Sequence, residues 1–365
     1  MLLSKKIKAK LLRFLTKNNE KNYDLKDVKK IIFFRYDRIG DMILTTPVFR
    51  ELKTFSPEIK ITVLASKSNK AVLKNNPYVD EIFINNKNNF FGDFQTLLRL
   101  RKKNFDACVE FDHSVVPHAI LRLKIINPKI IISVAKEGRY GVEGSELLLY
   151  NYFTEKKRNF HFRDIWLETL KPFGVKPKSS HYDLFCTDAQ KKEAHHFISK
   201  FRNKFLIGIN LEGAVKGKKI EFNALKEICQ GLYKVNKNIQ VFILTAPNNH
   251  RRIVKMIGKM KLEYVQSSFK TNTIMDVAAL INQMDLIITP DTSIAHIASA
   301  YNKPVVTIHE NNQDSYQLFA PTSELNRTIF SRSQKGISDF SVLLLLRYCD
   351  ELIKNIIKKN NKKIS

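Results

Sequence analysis

One pattern constrains this chain more than any other, and it runs through the sequence twice. Short apolar segments alternate with helical ones, first over residues 30–134 and again over residues 205–309. In the first half, residues 30–35 (KIIFFR), 59–64 (IKITVL), 79–84 (VDEIFI), 105–111 (FDACVEF) and 129–134 (KIIISV) read as strands. Helical periodicity lies between them at 42–52, 65–73, 94–102 and 116–123. In the second half the strands are 205–210 (FLIGIN), 239–245 (IQVFILT), 286–289 (LIIT) and 305–309, with helices at 222–235, 277–284, 294–301 and 339–358. Strands that alternate with helices in this way form βαβ units around a parallel sheet. A length of 365 residues is about right for two such domains. The Pro172, Gly174, Pro177 and Lys178-Ser179-Ser180 stretch reads as the linker.

The predicted organisation has four parts. A basic amphipathic helix occupies 1–27, a first α/β domain 28–176, a second α/β domain 181–336, and a last helix with a basic tail 337–365. In residues 1–22, Leu3, Ile7, Leu11 and Leu15 recur on one helical face with Phe14 beside them, and Lys5, Lys6, Lys8, Lys10, Arg13 and Lys17 fill much of the rest. Such a helix either lies on an anionic membrane surface or packs on the body of the protein. Charges interrupt it and no small-residue cleavage site follows, so it does not read as a secretory signal.

Composition narrows the function classes. Hydrophobic residues make up 44% of the chain, enough for packed cores. Apolar runs such as 342–346 (VLLLL) fall far short of the about 20 residues needed to span a bilayer. Cys108, Cys186, Cys229 and Cys349 lie far apart without a CxxC pair, which argues against a disulfide framework or a cysteine zinc site. The net charge of +27 favours acidic partners: nucleic acid, anionic lipid or phosphorylated substrates. The abundance of Lys, Asn and Ile also fits a bias of base composition, and no nucleic-acid recognition motif accompanies the charge.

In parallel sheets ligands bind beyond the carboxyl ends of the strands, so chemistry is expected on the loops there. Two facing sheets would line an interdomain cleft with both sets of loops. Three loops carry candidate groups. The first is Arg35-Tyr-Asp-Arg-Ile-Gly-Asp41. Gly40 allows a tight turn or close ligand approach, and Asp41 at a helix start either caps that helix or presents a carboxylate to a reacting hydroxyl. Arg35, Asp37 and Arg38 add charge at the same edge, as ligands or as a solvated ion-pair cluster. The second is Asp291-Thr-Ser-Ile-Ala-His296. Amides at a helix start suit a phosphate, though an N-cap followed by an incidental histidine would look the same. The third runs from Gly213 to Lys219, where lysines could grip a diphosphate or simply face water. The GxxxxGK[ST], GxGxxG, HExxH and GxSxG motifs are absent at the expected places, and no D-x-D pair follows a strand to hold a metal–diphosphate complex.

With these loops assembled, the chain resembles glycosyltransferase family 9, the ADP-heptose:lipopolysaccharide heptosyltransferases and their relatives. The resemblance rests on residues 31–53 (IIFFRYDRIGDMILTTPVFRELK) and residues 279–310 (ALINQMDLIITPDTSIAHIASAYNKPVVTIHE), in the family's order and separation. It implies an α/β fold of GT-B architecture, with two Rossmann-like domains whose parallel sheets face an interdomain cleft. The nucleotide sugar would be held mainly by the second domain and the acceptor by the first, and the last helix would return toward the first domain. Carried over by motif, Asp41 is the catalytic carboxylate, Asp291 contacts the donor sugar, and Thr292, Ser293 and His296 sit by the diphosphate. Either Lys218 or Lys219 is the phosphate-binding lysine, and Arg35, Arg38 and Gly40 line the acceptor side. No metal and no cofactor are implied beyond the nucleotide-diphosphate sugar.

The implied activity is inverting transfer of a heptose, from ADP-heptose, to a lipopolysaccharide or lipooligosaccharide core. The implied partners are that donor, an anionic lipid-linked saccharide acceptor and the inner-membrane surface, with the protein peripheral on its cytoplasmic face and no specific nucleic acid. The chain departs from the family pattern at Ser293 (usually Gly), at Ile220-Glu221 (often Trp-Pro) and at His309-Glu310 (often Gly-Pro). Residues 246–250 (APNNH) also lack the acid often found near the nucleotide ribose. These departures leave open a different donor sugar acting on capsule or another glycan. A nucleic-acid-binding or non-catalytic sugar-binding protein is the alternative of another class.

Overall fold

The computed structural model describes residues 5–17, 25–86, 89–155, 160–213 and 217–364. The chain divides into two compact units, residues 1–183 and 184–365. The first unit contains α1 (Lys5–Leu15), β1 (Lys30–Arg35), α2 (Ile39–Phe55), β2 (Lys60–Ala65), α3 (Lys70–Leu73), β3 (Glu81–Ile84) and α4 (Phe90–Arg101). It continues with β4 (Ala107–Glu110), α5 (Pro117–Ile126), β5 (Ile130–Ser133), β6 (Tyr152–Phe153) and α6 (Phe162–Leu167). Its six strands are all parallel, in the order β3-β2-β1-β4-β5-β6.

Alternation along the strands divides this unit's core in two. Ile32, Phe34, Cys108 and Ile131 meet α1, α4 and α5 on one face. Phe33 points to the other face and packs edge-on against Phe49 of α2, with ring centroids 5.1 Å apart. Helix α1 docks through Ala9, Leu12 and Thr16, which are buried, while Ile7, Leu11 and Phe14 face solvent. Of the expected face, Leu15 is half-buried against the core, where it joins Ala9 and Leu12, spaced i, i+3, while Ile7 and Leu11 stay outside. Leu3 lies outside the described residues.

The second unit contains α7 (Asp188–Ile198), β7 (Phe205–Asn210), α8 (Phe222–Val235), β8 (Ile239–Leu244), α9 (His250–Gly258), β9 (Val265–Ser267) and α10 (Ile274–Ile281). It closes with β10 (Leu286–Pro290), α11 (Ser293–Ala300), β11 (Val305–His309), α12 (Gln313–Phe319), β12 (Asn326–Phe330) and α13 (Val342–Ile364). Its strand order, β9-β8-β7-β10-β11-β12, repeats that of the first unit, again all parallel. Leu345, Cys349 and Leu352 of α13 are buried in this unit's core beside Leu225, Ile228 and Leu232 of α8. Gly231 sits mid-helix in α8 because a Cβ there would collide with Leu346. The four cysteines are all free thiols. Among the described residues no helix is long and apolar enough to cross a membrane.

Candidate functional site

In each unit the chain leaves the middle of the sheet in opposite directions at one point, between β1 and β4 in the first and between β7 and β10 in the second. Loops that part there open a crevice beyond the strand ends, which is where ligands bind in such sheets. Residues 35–41 follow β1 and residues 211–220 follow β7, so topology alone carries two of the three candidate loops to these points. Residues 291–293 follow β10 and complete the second.

In the first unit, Asp41 is the third residue of α2, and its Oδ2 accepts from the backbone N–H of Arg38, the helix N-cap, at 3.3 Å. Oδ1 makes no hydrogen bond among the described residues, so capping engages only one oxygen. Burial raises the Asp41 carboxyl above its ordinary range, while Arg35 pulls it down and Asp37 pushes it further up. Gly40 lies in the first turn of α2 with ordinary helical backbone, so no tight left-handed turn is needed there. Arg38 is exposed. Arg35 is not the solvated group that its sequence context allows, because it is only 2% exposed. Its Nη1 donates to Asp37 at 2.6 Å, its Nε to Thr45 at 3.0 Å, and its guanidinium stacks 3.9 Å from the Trp166 ring centre. That position aims a fixed positive charge at Asp41 from inside the protein.

A second group on the same crevice escaped the sequence reading. Glu110 ends β4, and Lys136, just beyond β5, makes an ion pair with it; both side chains are almost wholly buried. Lys136 holds Glu110 below its ordinary range against the upward push of burial. The next acid, Asp112, is raised to about 8 by burial and by the Glu110 charge. His113 is lowered to about 3 by burial and by Arg35, so its ring is neutral, and Nε2 accepts from the Trp166 indole at 3.0 Å. The signal available was the run Glu110-Phe-Asp-His113 directly after a strand.

In the second unit the loop after β7 folds back on itself. Glu212 and Lys219 form an antiparallel bridge, Gly213 N–H donates to Lys218 O at 3.2 Å, and Ile220 N–H donates to Leu211 O at 2.8 Å. Gly217, at φ +91°, supplies the left-handed residue that this reversal needs. Adjacent residues in such a ladder point to opposite sides, and this separates the two candidate lysines. Lys218 is buried and its Nζ donates to Asp291 Oδ2 at 2.5 Å, with Glu310 at 3.9 Å. Lys219 turns outward to Glu221 at 3.1 Å. Residues 214–216 lie outside the described residues.

Thr292 is the N-cap of α11, and its Oγ1 accepts from Ile294 N–H at 3.2 Å and from Asn210 Nδ2 at 3.1 Å. Ser293 is the first helical residue. Gly213 packs so closely here that a Cβ would lie 2.7 Å from Thr292 Cγ2. Burial would raise Asp291, but His309 and Lys218, then His296, outweigh it and keep the carboxylate ionised. His296 is buried one turn into α11, and His309 and Glu310 border the pair from the end of β11. Asp291, Lys218, Thr292 and Ser293 thus converge, whereas Lys219 does not join them. The arrangement places a buried cation and a helix N-terminus beside a carboxylate, a combination suited to an anion that also carries hydroxyl groups. Among the described residues no group of three or more His, Cys, Asp or Glu stands ready to hold a metal ion.

Comparison with known proteins agrees with this geometry. Glycosyltransferase family 9 (heptosyltransferase) matches residues 95–340. The chain is 24% identical over 282 residues to the lipopolysaccharide core heptosyltransferase OpsX of Haemophilus influenzae, covering 77% of this chain and 79% of that one. Among solved structures it is similar to a family 9 glycosyltransferase from Veillonella parvula, with a TM-score of 0.74 at 18% identity over 92% of this chain and 100% of that chain. It is also similar to the E. coli heptosyltransferase WaaC with ADP-2-deoxy-2-fluoro heptose, with a TM-score of 0.66 at 15% identity over 91% of this chain and 99% of that chain. The likeness is to two-Rossmann folds of the GT-B class, as the two repeated sheets require. The chain therefore belongs to glycosyltransferase family 9, the lipopolysaccharide heptosyltransferase family, and is a glycosyltransferase.

Proposed function

We propose that this protein moves a heptose from ADP-heptose onto a lipopolysaccharide or lipooligosaccharide core saccharide, with inversion and without a metal ion. The observation that carries the reading is the buried Lys218–Asp291 pair at the N-terminus of α11. A diphosphate there meets the Lys218 ammonium and the amides at Thr292–Ser293, and the sugar meets Asp291. A relative solved with an ADP-heptose analogue supports the choice of donor.

Glycosyl transfer passes through an oxocarbenium-like state. As the bond from the anomeric carbon to the phosphate oxygen breaks, negative charge grows on the departing ADP, and Lys218 and the α11 amides stabilise it. The acceptor oxygen bonds to the anomeric carbon from the opposite face and its proton passes to Asp41. Arg35, fixed beneath Asp41 by Asp37, Thr45 and Trp166, limits how far burial lifts that carboxyl, so it stays available as a base at neutral pH. The charge a metal would supply to the leaving group comes here from Lys218 and the helix. The acceptor is an anionic lipid-linked saccharide at the cytoplasmic surface of the inner membrane, where the protein is peripheral.

A panel of nucleotide sugars tests the donor. ADP-heptose is expected to raise the melting temperature of the wild type more than UDP- or GDP-sugars do, and the rise is expected to vanish in Asp291→Ala. A larger rise with another nucleotide sugar would replace ADP-heptose as donor, and an undiminished rise in Asp291→Ala would reject this loop as the donor site.

A further inference from the structure

The helical layer on one face of the first unit carries apolar side chains that its own core does not use. In α4, Phe90 is 76% and Phe91 78% exposed, and Phe94 is exposed one turn on; Phe90 stacks on Phe94 with ring centroids 6.5 Å apart. The opposite edge of α4 packs inward through Leu97 and Leu100, so the phenylalanines are surplus to folding. In α1 the outward side chains Ile7, Leu11 and Phe14 are exposed in the same way. Both helices pack against α5, whose Leu121 is exposed between them, and all three cover one sheet face. Three adjacent helices therefore turn large apolar groups outward, where a monomer ordinarily shows single scattered ones.

The charge around them is predominantly basic. α1 has five basic residues, of which Arg13 pairs with Glu146, α5 adds Lys124, and α4 ends in Arg99 and Arg101. The acid within α4, Asp93, is already bound to Arg122. Two copies of such a face would repel each other across a two-fold axis. Exposed phenylalanines on a helical layer rich in lysine and arginine match instead an apolar layer beneath anionic headgroups.

We propose that the α1–α5–α4 face of the first unit docks on an anionic lipid bilayer, with Phe90, Phe91 and Phe94 entering the interface and the basic side chains of α1 lying on the headgroups. The α4 edge is a contact that the amphipathic start of the chain does not by itself predict. The proposal rests on the reading of a lipid-linked acceptor given above, and it holds the first unit, which carries Asp41, against the surface that presents such an acceptor.

Co-sedimentation of the full chain with vesicles tests it. Phosphatidylcholine vesicles containing phosphatidylglycerol are expected to bind the protein, and phosphatidylcholine alone to bind it far less. Replacing Phe90, Phe91 and Phe94 together by Ser should lower partitioning onto the anionic vesicles by about tenfold or more. Lys6→Glu with Lys10→Glu, which leaves the apolar groups alone, should lower it several-fold and remove most of its salt dependence. Both variants should keep the wild-type thermal response to nucleotide sugar, so failure of the donor reading is seen separately from failure of docking. The proposal is overturned if the wild type ignores anionic vesicles, or if both variants bind them like the wild type. It is also overturned if light scattering shows a wild-type dimer that the phenylalanine variant dissolves, because the face would then belong to a second copy.

Discussion

The two units share one strand order, yet the point where each sheet's connections diverge holds opposite chemistry. In the first unit the crevice is lined by acids: Asp37 and Asp41 around a buried Arg35, and Glu110 and Asp112 beside Lys136. In the second it is lined by a buried lysine, a helix N-terminus and the Asp291 carboxylate, which Lys218 helps to keep ionised, with Glu310 at the border. On the mechanism proposed above, the shared scaffold sets where each half-reaction takes place and the residues after its strands set which one. An acid-rich crevice is suited to taking a proton, and a cation-bearing one to receiving a leaving phosphate.

The sharpest way to break this comparison is to neutralise the first unit's acid. Asp41→Asn is expected to lower kcat by about 10²- to 10⁴-fold while leaving donor affinity unchanged, because it removes only the proton acceptor. Transfer at near-normal rate would reduce Asp41 to a helix cap. The wild-type pH profile should agree with its burial. The base must be ionised, so the rate should rise with pH on the acid side, with a midpoint above the ordinary Asp value of 3.8.

On the second unit's side, Lys218→Ala should lower the transfer rate by roughly 10²- to 10³-fold, as loss of one preorganised charge-stabilising group does, while Lys219→Ala stays close to wild type. Equal losses in the two variants would mean that the fold-back of this loop does not persist when donor binds.

Two stability measurements refine the contrast. Asp112 is raised to about 8 in the folded protein but ionises near 3.8 when unfolded. The unfolded chain therefore releases this proton first, and the wild type loses stability as pH rises from about 4 to about 8. Asp112→Asn removes that loss. The variant's advantage in melting temperature should grow across this window, with a ceiling of about 1.4 kcal/mol per pH unit, and then level off. A gap that is flat with pH would show that Asp112 is ionised in the folded crevice. The smallest effect expected is for Gly231→Ala in α8. Contact with Leu346 should cost about 1–3 kcal/mol and better helix propensity return up to about 1 kcal/mol, a modest net fall in denaturant midpoint.

Much of the fold was legible because buried parallel strands are continuous apolar runs, as in Ile31–Phe34 and Val241–Leu244. Among the edge strands only β3 was, through its apolar residues 82–84. Tyr152–Phe153 and Val265–Ser267 are too short to show a period, and Asn326–Phe330 opens with three polar residues on a half-exposed edge. At the site, Asp291 and Thr292 were readable because they directly follow a strand, and Asp41 because it opens the helix after one. The choice between Lys218 and Lys219 was not, since it depends on the register of a loop folding back on Leu211. The Glu110–Lys136 pair joins residues 26 positions apart across neighbouring strands, and no local pattern announces it. Helix α1 was open for the reverse reason. It has two apolar stripes, and the sequence does not say which one the core takes.

The ion pair between Lys218 and Asp291 has a consequence for what the second unit will accept. Paired with Asp291, the Lys218 ammonium is already neutralised, so free phosphate gains little by approaching it. A simple anion would also strip Asp291 of its cation and leave a carboxylate stranded in a mostly buried place, a costly state. A molecule that brings an anionic group for Lys218 together with hydroxyl donors for Asp291 satisfies both at once. On the donor reading proposed above, the pair is a two-key lock, opened by a sugar joined to a phosphate and by neither part alone.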